Sequence, residues 1–169
     1  RRGAPRSGQA TRMPCRFVLV GAMNPCNCGE LGRTNRACRC TPAMIAHYRS
    51  RVSGPLLDRF EIQVEVPSVP VADLVKASPG ESSAVLAERI VAATRRRKQE
   101  IEPAPSVAAQ TILHRAIRGL GLSARAHDAV LRVARTIAHL EGSASIEGPH
   151  VAEAIQYRCL DRSPIRSER

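Results

Sequence analysis

The sequence predicts an α/β segment, two strands around a cysteine-rich insertion, followed by an all-helical domain. Three observations carry this reading. Apolar runs at residues 17–22 and 61–66 have the length and β-branched content of strands bounded by turn signals. Two Cys-x-Cys pairs stand between them. From about residue 81 onward apolar residues recur with the helical period.

Taken in order, residues 1–12 (RRGAPRSGQATR) are rich in Gly, Pro and Arg without periodicity and read as a flexible arm. FVLVGA, residues 17–22, predicts a buried strand. Met23-Asn24-Pro25 stops it, because proline holds the preceding Asn24 in an extended conformation. A polar amide is thereby presented at the C-terminal edge of a sheet, where open α/β folds place ligands. After the cysteines, SGPLLDRF leads into the second strand at 61–66, and Pro67-Ser68-Val69-Pro70 forms a rigid connector between the two halves.

The helical half begins near Val71. Residues 81–101 predict a helix with Val85, Leu86, Ile90, Val91 and Ala93 on one periodic face and Arg95, Arg96, Arg97 and Lys98 near its C-terminal end. Pro103 and Pro105 end it. A weaker helix spans about 107–117, stopped by Gly119 and Gly121. Ser123 N-caps a helix over 124–140 that turns Val130, Leu131, Val133, Ala134, Ile137 and Ala138 inward, and Glu141-Gly142 closes it. Pro149 suits the first turn of a last helix reaching about Leu160.

Composition narrows the function classes. The chain has 169 residues with 43% hydrophobic content, so it can bury a core, but only 2% aromatics and no Trp. A formal net charge of +11 points to a polyanionic partner, nucleic acid ahead of a membrane surface, although solvated arginine faces are common. No run reaches a membrane span and no signal-peptide pattern opens the chain, which makes cytoplasmic the default location. No Ser/His/Asp set or carboxylate pair stands out, and the five histidines lack ligand spacing.

Cys26, Cys28, Cys38 and Cys40 suit a tetrahedral Zn²⁺ held by four thiolates, a structural site because no position is left for water. Disulfides, disfavoured in a reducing cytoplasm, and four free thiols are the alternatives. Arg33, Arg36 and Arg39 are placed to stabilise the negative cluster. Cys15 and Cys159 read as small core residues.

Five segments, AMNPCNCG, CRCTP, SGPLLDRFE, LSARAHDAVLRVARTIAHLEG and HVAEAIQYRCLDR, occur in this order. Together they resemble the ComM/YifB-type, Mg chelatase-related AAA+ ATPases over about residues 13–162. No G-x-x-x-x-G-K-[ST] phosphate loop and no strand ending in Asp-Glu precede Phe17, so the chain looks like the C-terminal part of such an ATPase. The resemblance implies that residues 13–68 are the C-terminal part of the AAA+ core with its four-Cys loop. It makes 69–165 the helical lid, and 1–12 a remnant of the family's hairpin before the sensor strand.

The resemblance also implies roles. Asn24 matches sensor 1, which would orient water or the γ-phosphate; alone, an Asn before proline is more often a plain turn residue. Arg59 matches the arginine finger, suited by its planar, always-charged fork and reaching a neighbouring subunit's ATP; a surface ion pair, for instance with Asp58, is the plainer account. Arg125 matches sensor 2, in cis or in trans, with Arg132 and Arg135 as competitors on the same helix.

The activity implied is that of a hexameric, ATP-driven DNA motor or branch-migration helicase in recombination or transformation. ATP and Mg²⁺ would bind only with the missing N-terminal half or a neighbouring subunit, so this chain alone would not hydrolyse ATP. A non-enzymatic, zinc-stabilised nucleic-acid-binding module is the alternative. Magnesium insertion into a porphyrin, suggested by the chelatase name, is disfavoured by the four-Cys loop.

Overall fold

Hydroxyl side chains set most of the helix starts. The structure, a computed structural model, describes residues 2–6, 9–13, 17–33, 36–70, 73, 75, 80–99 and 104–162. Thr41 Oγ1 accepts the Met44 N–H at 3.3 Å ahead of α1 (Pro42–Ser50). Ser53 and Pro55 open the one-turn α2 (Gly54–Leu57). The long α3 (Ser83–Gln99) follows. Ser106 Oγ accepts the Ala109 N–H at 3.3 Å to start α4 (Val107–Leu120). Ser123 Oγ accepts that of Ala126 at 3.1 Å to start α5 (Ala124–Glu141). The last helix, α6 (Gly148–Gln156), leads to a 3₁₀ turn at Cys159–Arg162.

Glycine ends two of these helices. Gly121 and Gly142 take left-handed backbone with φ of 62° and 77°, which residues bearing a Cβ rarely adopt. The helix expected to stop near Gly119 therefore runs through it to Leu120. At Gly142 a second element joins the cap. Arg96 Nη1 of α3 donates to the His139 carbonyl at 2.9 Å, tying α3 to the C-terminal end of α5. Arg96, expected among the cations near the C-terminal end of this helix, is thereby engaged inside the fold.

The core lies between α4, α5 and α6. Ala109 and Leu113 meet Val130, Val133, Ala134, Ile137 and Ala138, and Ile146, Val151, Ala154 and Ile155 close the cluster. The α5 face expected from periodicity is the one buried, with Leu131 half-buried beside it. Small residues permit close helix packing, and Gly148 packs so near α4 that a Cβ there would stand 3.0 Å from Ile112. A short parallel bridge between Pro105 and Ile146 ties the entrances of α4 and α6 together.

Three expectations are corrected. The arm contains a hairpin: β1 (Arg2–Arg6) runs antiparallel to β2 (Gln9–Met13), with Arg2 opposite Met13 and Arg6 opposite Gln9. Residues 17–22 and 61–66 do not form the two strands. Phe17 to Val20 are 59–90% exposed, as a run with nothing against it must be. A strand exists by hydrogen-bonding a neighbour; among the described residues the only bridge in either run joins Gln63 to Arg158. Finally, α3 buries Ala93, whereas Val85, Leu86, Ile90 and Val91 are exposed. The α/β half is thus not seen as a sheet, while the helical half is. Cys15 and residues 100–103 lie outside the described residues.

Candidate functional site

Four sulfurs converge in the loop after Asn24. Cys26 Sγ lies 3.4 Å from Cys28 Sγ and 3.7 Å from Cys38 Sγ, and Cys28 and Cys38 are 3.6 Å apart. Cys40 completes the group, with all four Sγ atoms within 4.8 Å of one another. A tetrahedron with metal–sulfur bonds of about 2.3 Å has sulfur–sulfur edges of about 3.8 Å. A disulfide would need about 2.05 Å. The four cysteines are free, and the set can hold a metal ion.

Local backbone makes this possible. Gly29 and Gly32 adopt φ of 76° and 82°, reversing the chain between the two Cys-x-Cys pairs. The Gly29 N–H donates to the Cys26 carbonyl at 3.1 Å, and Arg49 Nε of α1 donates to the Pro25 carbonyl at 3.4 Å. The N–H groups of Glu30 and then Arg39 bring the Cys28 thiol down to about 6. The Cys40 N–H lowers Cys38, but burial and the thiols of Cys28 and Cys26 outweigh it and raise that thiol to about 12. The Cys26 and Cys28 thiols are lowered while those of Cys38 and Cys40 are raised, so a full tetrathiolate calls for a cation.

The expected arginine support is different in detail. Arg33 and Arg36 pair with Glu30, at 3.1 and 3.7 Å, and the direct stabilisation of Cys28 comes from backbone N–H groups. His47 is exposed on α1.

Asn24, Arg59 and Arg125 sit on three different elements, and among the described residues no hydrogen bond joins them. Asn24 is exposed, its side-chain amide beside Gly29 at the mouth of the cysteine loop, 3.8 Å from where a Cβ would stand. Arg59 is exposed on the turn after α2, and its Nη1 donates to the Pro55 carbonyl at 2.9 Å. Residues 17–22 and the Arg59 turn meet through the Phe60 ring, which lies against Gly21. Arg125 is exposed in the first turn of α5.

Arg132 and Arg135, the competitors of Arg125, line a cleft of about 530 Å³ together with Glu61, Ile62, Arg97 and His139. Arg132 Nε is bonded to Glu61 at 2.7 Å, which gives this arginine a partner inside the chain.

Sequence reasoning missed the residues behind Arg59. Arg158 is fully buried; one of its nitrogens donates to the Phe60 carbonyl and the other lies 3.7 Å from Asp58. Gln63, 5% exposed, bonds both Leu57 and Leu160. Their only sequence signal was an arginine at the end of an apolar helix, within HVAEAIQYRCLDR.

Two family models match consecutive parts of the chain: magnesium chelatase subunit ChlI over residues 4–74, and the ChlI C-terminal region over residues 80–158. The chain belongs to the magnesium chelatase-related family. Within that family it is similar to the competence protein ComM of Haemophilus influenzae, 36% identical over 175 residues that cover 93% of this chain and 33% of ComM. It is similar also to YifB of Escherichia coli, 39% identical over 178 residues covering 92% of the chain and 33% of YifB. An uncharacterized protein of Mycobacterium tuberculosis is 35% identical over 174 residues, covering 92% of the chain and 34% of that protein. The chain spans about a third of the length of these curated relatives and corresponds to a C-terminal part of the family's architecture.

Proposed function

We propose that this chain supplies the sensor and lid elements of an ATP-hydrolysing AAA+ ring that acts on DNA. Asn24 serves as sensor 1, Arg59 as a finger directed to a neighbouring subunit's nucleotide, and Arg125 as sensor 2. The observation that carries the reading is the similarity to ComM, named a competence protein, across nearly the whole chain. The exposed guanidinium of Arg59, on a turn whose neighbouring residues are held by the buried Arg158, supports it further.

Phosphoryl transfer asks for positioned charge more than for covalent chemistry from the protein. Mg²⁺, when bound, would offset charge on the phosphates; no residue of this chain is assigned to it. The cysteine cluster holds Zn²⁺ through Cys26, Cys28, Cys38 and Cys40 and fixes the loop that begins two residues after Asn24. The expected location is the cytoplasm and the expected assembly a homo-oligomeric ring, probed in solution by mass measurement with nucleotide present. Among the described residues no helix is long and apolar enough to cross a membrane.

The test is the ATPase rate of the product of the complete reading frame, with and without DNA. Arg59→Ala is expected to lower kcat by about 10³-fold or more, the worth of an arginine finger. Adding subunits with an intact Arg59 but a disabled nucleotide site should restore turnover. The isolated chain is expected to be inactive, and turnover by it that Arg59→Ala abolishes would remove the need for a second subunit. The second reading, a zinc-stabilised nucleic-acid-binding module without enzymatic activity, is favoured by the cysteine cluster together with the charge of +11. DNA binding by a complete product that never hydrolyses ATP would establish that reading instead.

A further inference from the structure

We infer that Arg158 is a positioning residue for Arg59, and that the C-terminal end of the lid thereby sets the aim of the finger. This rests on the reading of Arg59 as a phosphate-facing group.

The inference starts from burial. A guanidinium removed from water must be paired and hydrogen-bonded, and Arg158 is 0% exposed. Its two partners, the Phe60 carbonyl and the Asp58 carboxylate, flank Arg59 on either side. The planar fork of arginine can reach both at once; the single ammonium of lysine cannot hold that geometry.

A second clasp closes beside the first. The Gln63 N–H donates to the Tyr157 carbonyl at 2.8 Å, and its Oε1 accepts the Leu160 N–H at 3.0 Å. Its Nε2 donates to the Leu57 carbonyl at 3.4 Å, and its carbonyl accepts Cys159 Sγ–H at 3.5 Å. Residues 57–63 are thus stitched to residues 157–160, across 98 residues of sequence at the Arg158–Phe60 bond. The Glu61–Arg132 pair adds an attachment to α5.

Arg59 itself takes no part in this clasp. Among the described residues its guanidinium bonds within its own turn, to Pro55, and is exposed. The base of the finger is fixed by the lid while its head faces outward. Because a displacement of about 1 Å can cost about a hundredfold in rate, a shift of the α6 terminus in one subunit is felt at the site Arg59 serves. An arginine that only stabilised the lid would have no need to grip both neighbours of Arg59.

The test has two arms. On this chain, amide hydrogen exchange is compared for wild type, Arg158→Lys and the milder Asp58→Asn. Exchange over residues 58–63 is expected to rise at least tenfold in Arg158→Lys while residues 130–138 keep their wild-type rates. Unchanged exchange at 58–63, or acceleration only in step with 130–138, overturns the inference and leaves Arg158 a stability residue; if Arg158→Lys fails to fold, Asp58→Asn is judged by the same criterion.

In the complete product, Arg158→Lys is expected to lower kcat at least tenfold with KM for ATP unchanged. A ring silenced by Arg59→Ala but fully active with Arg158→Lys removes this inference alone. A ring indifferent to Arg59→Ala removes the finger reading and this inference with it.

Discussion

Glu147 and His150 show how much a few side chains decide at the head of α6. The Glu147 N–H donates to His150 Nδ1 at 2.9 Å, so His150 carries its proton on Nε2, which faces Glu141 at 2.9 Å. The Glu147 carboxyl is held below the usual carboxylate range, first by the Ser145 hydroxyl and then by that of Ser106, against the effect of burial. A carboxyl lowered in the folded state stabilises the fold above its unfolded value, and that contribution is lost as pH falls through the folded one. Stability should therefore decline on acidification below the ordinary carboxylate range, and Glu147→Gln should flatten the decline, as read from urea midpoints between pH 7 and pH 3. At this scale the four cysteines were legible because their spacing is itself the signal. Arg158 was not, because its burial is decided by Asp58 and Phe60, about a hundred residues earlier.

Among the elements, the four helices of the C-terminal half were legible, while α1, α2 and the strands were not. A helix closes its hydrogen bonds within itself, so caps at Ser106 and Ser123 and glycines at 121 and 142 suffice to mark it. A strand closes them on another segment, and the runs at 17–22 and 61–66 carry no information about which segment that is. The same reasoning explains α3, whose apolar positions were read correctly as a face but could not say whether anything covers it. Among the described residues the cysteine loop has no ladder or helix of its own between Cys26 and Cys40, so a metal held there would be its principal constraint. Purified chain should carry one equivalent of zinc. Chelation should make residues 25–41 protease-sensitive and leave the melting of α4 to α6 nearly unchanged, as read by circular dichroism. Cys38→Ser should weaken zinc more than about a hundredfold, beyond what loss of an outer hydrogen-bond partner costs. Equal protease resistance with and without zinc would count against a structural site.

For the molecule as a whole, charge and connectivity matter most. With a net charge of +11, the proposed DNA contact should be electrostatic in large part. Binding of the chain to duplex DNA should then fall with salt at a log–log slope of about −3 or steeper, a loss of roughly sixtyfold between 50 and 200 mM. A flat salt response would argue that the basic residues form only a solvated surface. The C-terminal helices and the turn that carries Arg59, which the family models divide between residues 4–74 and 80–158, are joined where Gln63 and Arg158 meet. The sequence by itself determined the family, the helical half, the α5 core face and the four thiols, because each rests on local spacing or on residues that signal alone. Only the tertiary structure decided that Arg96 and Arg132 serve internal partners, that α3 leaves apolar side chains exposed, and that Arg158 after α6 meets the residues on either side of Arg59. Those depend on which distant segments meet, and no local pattern of residues encodes that.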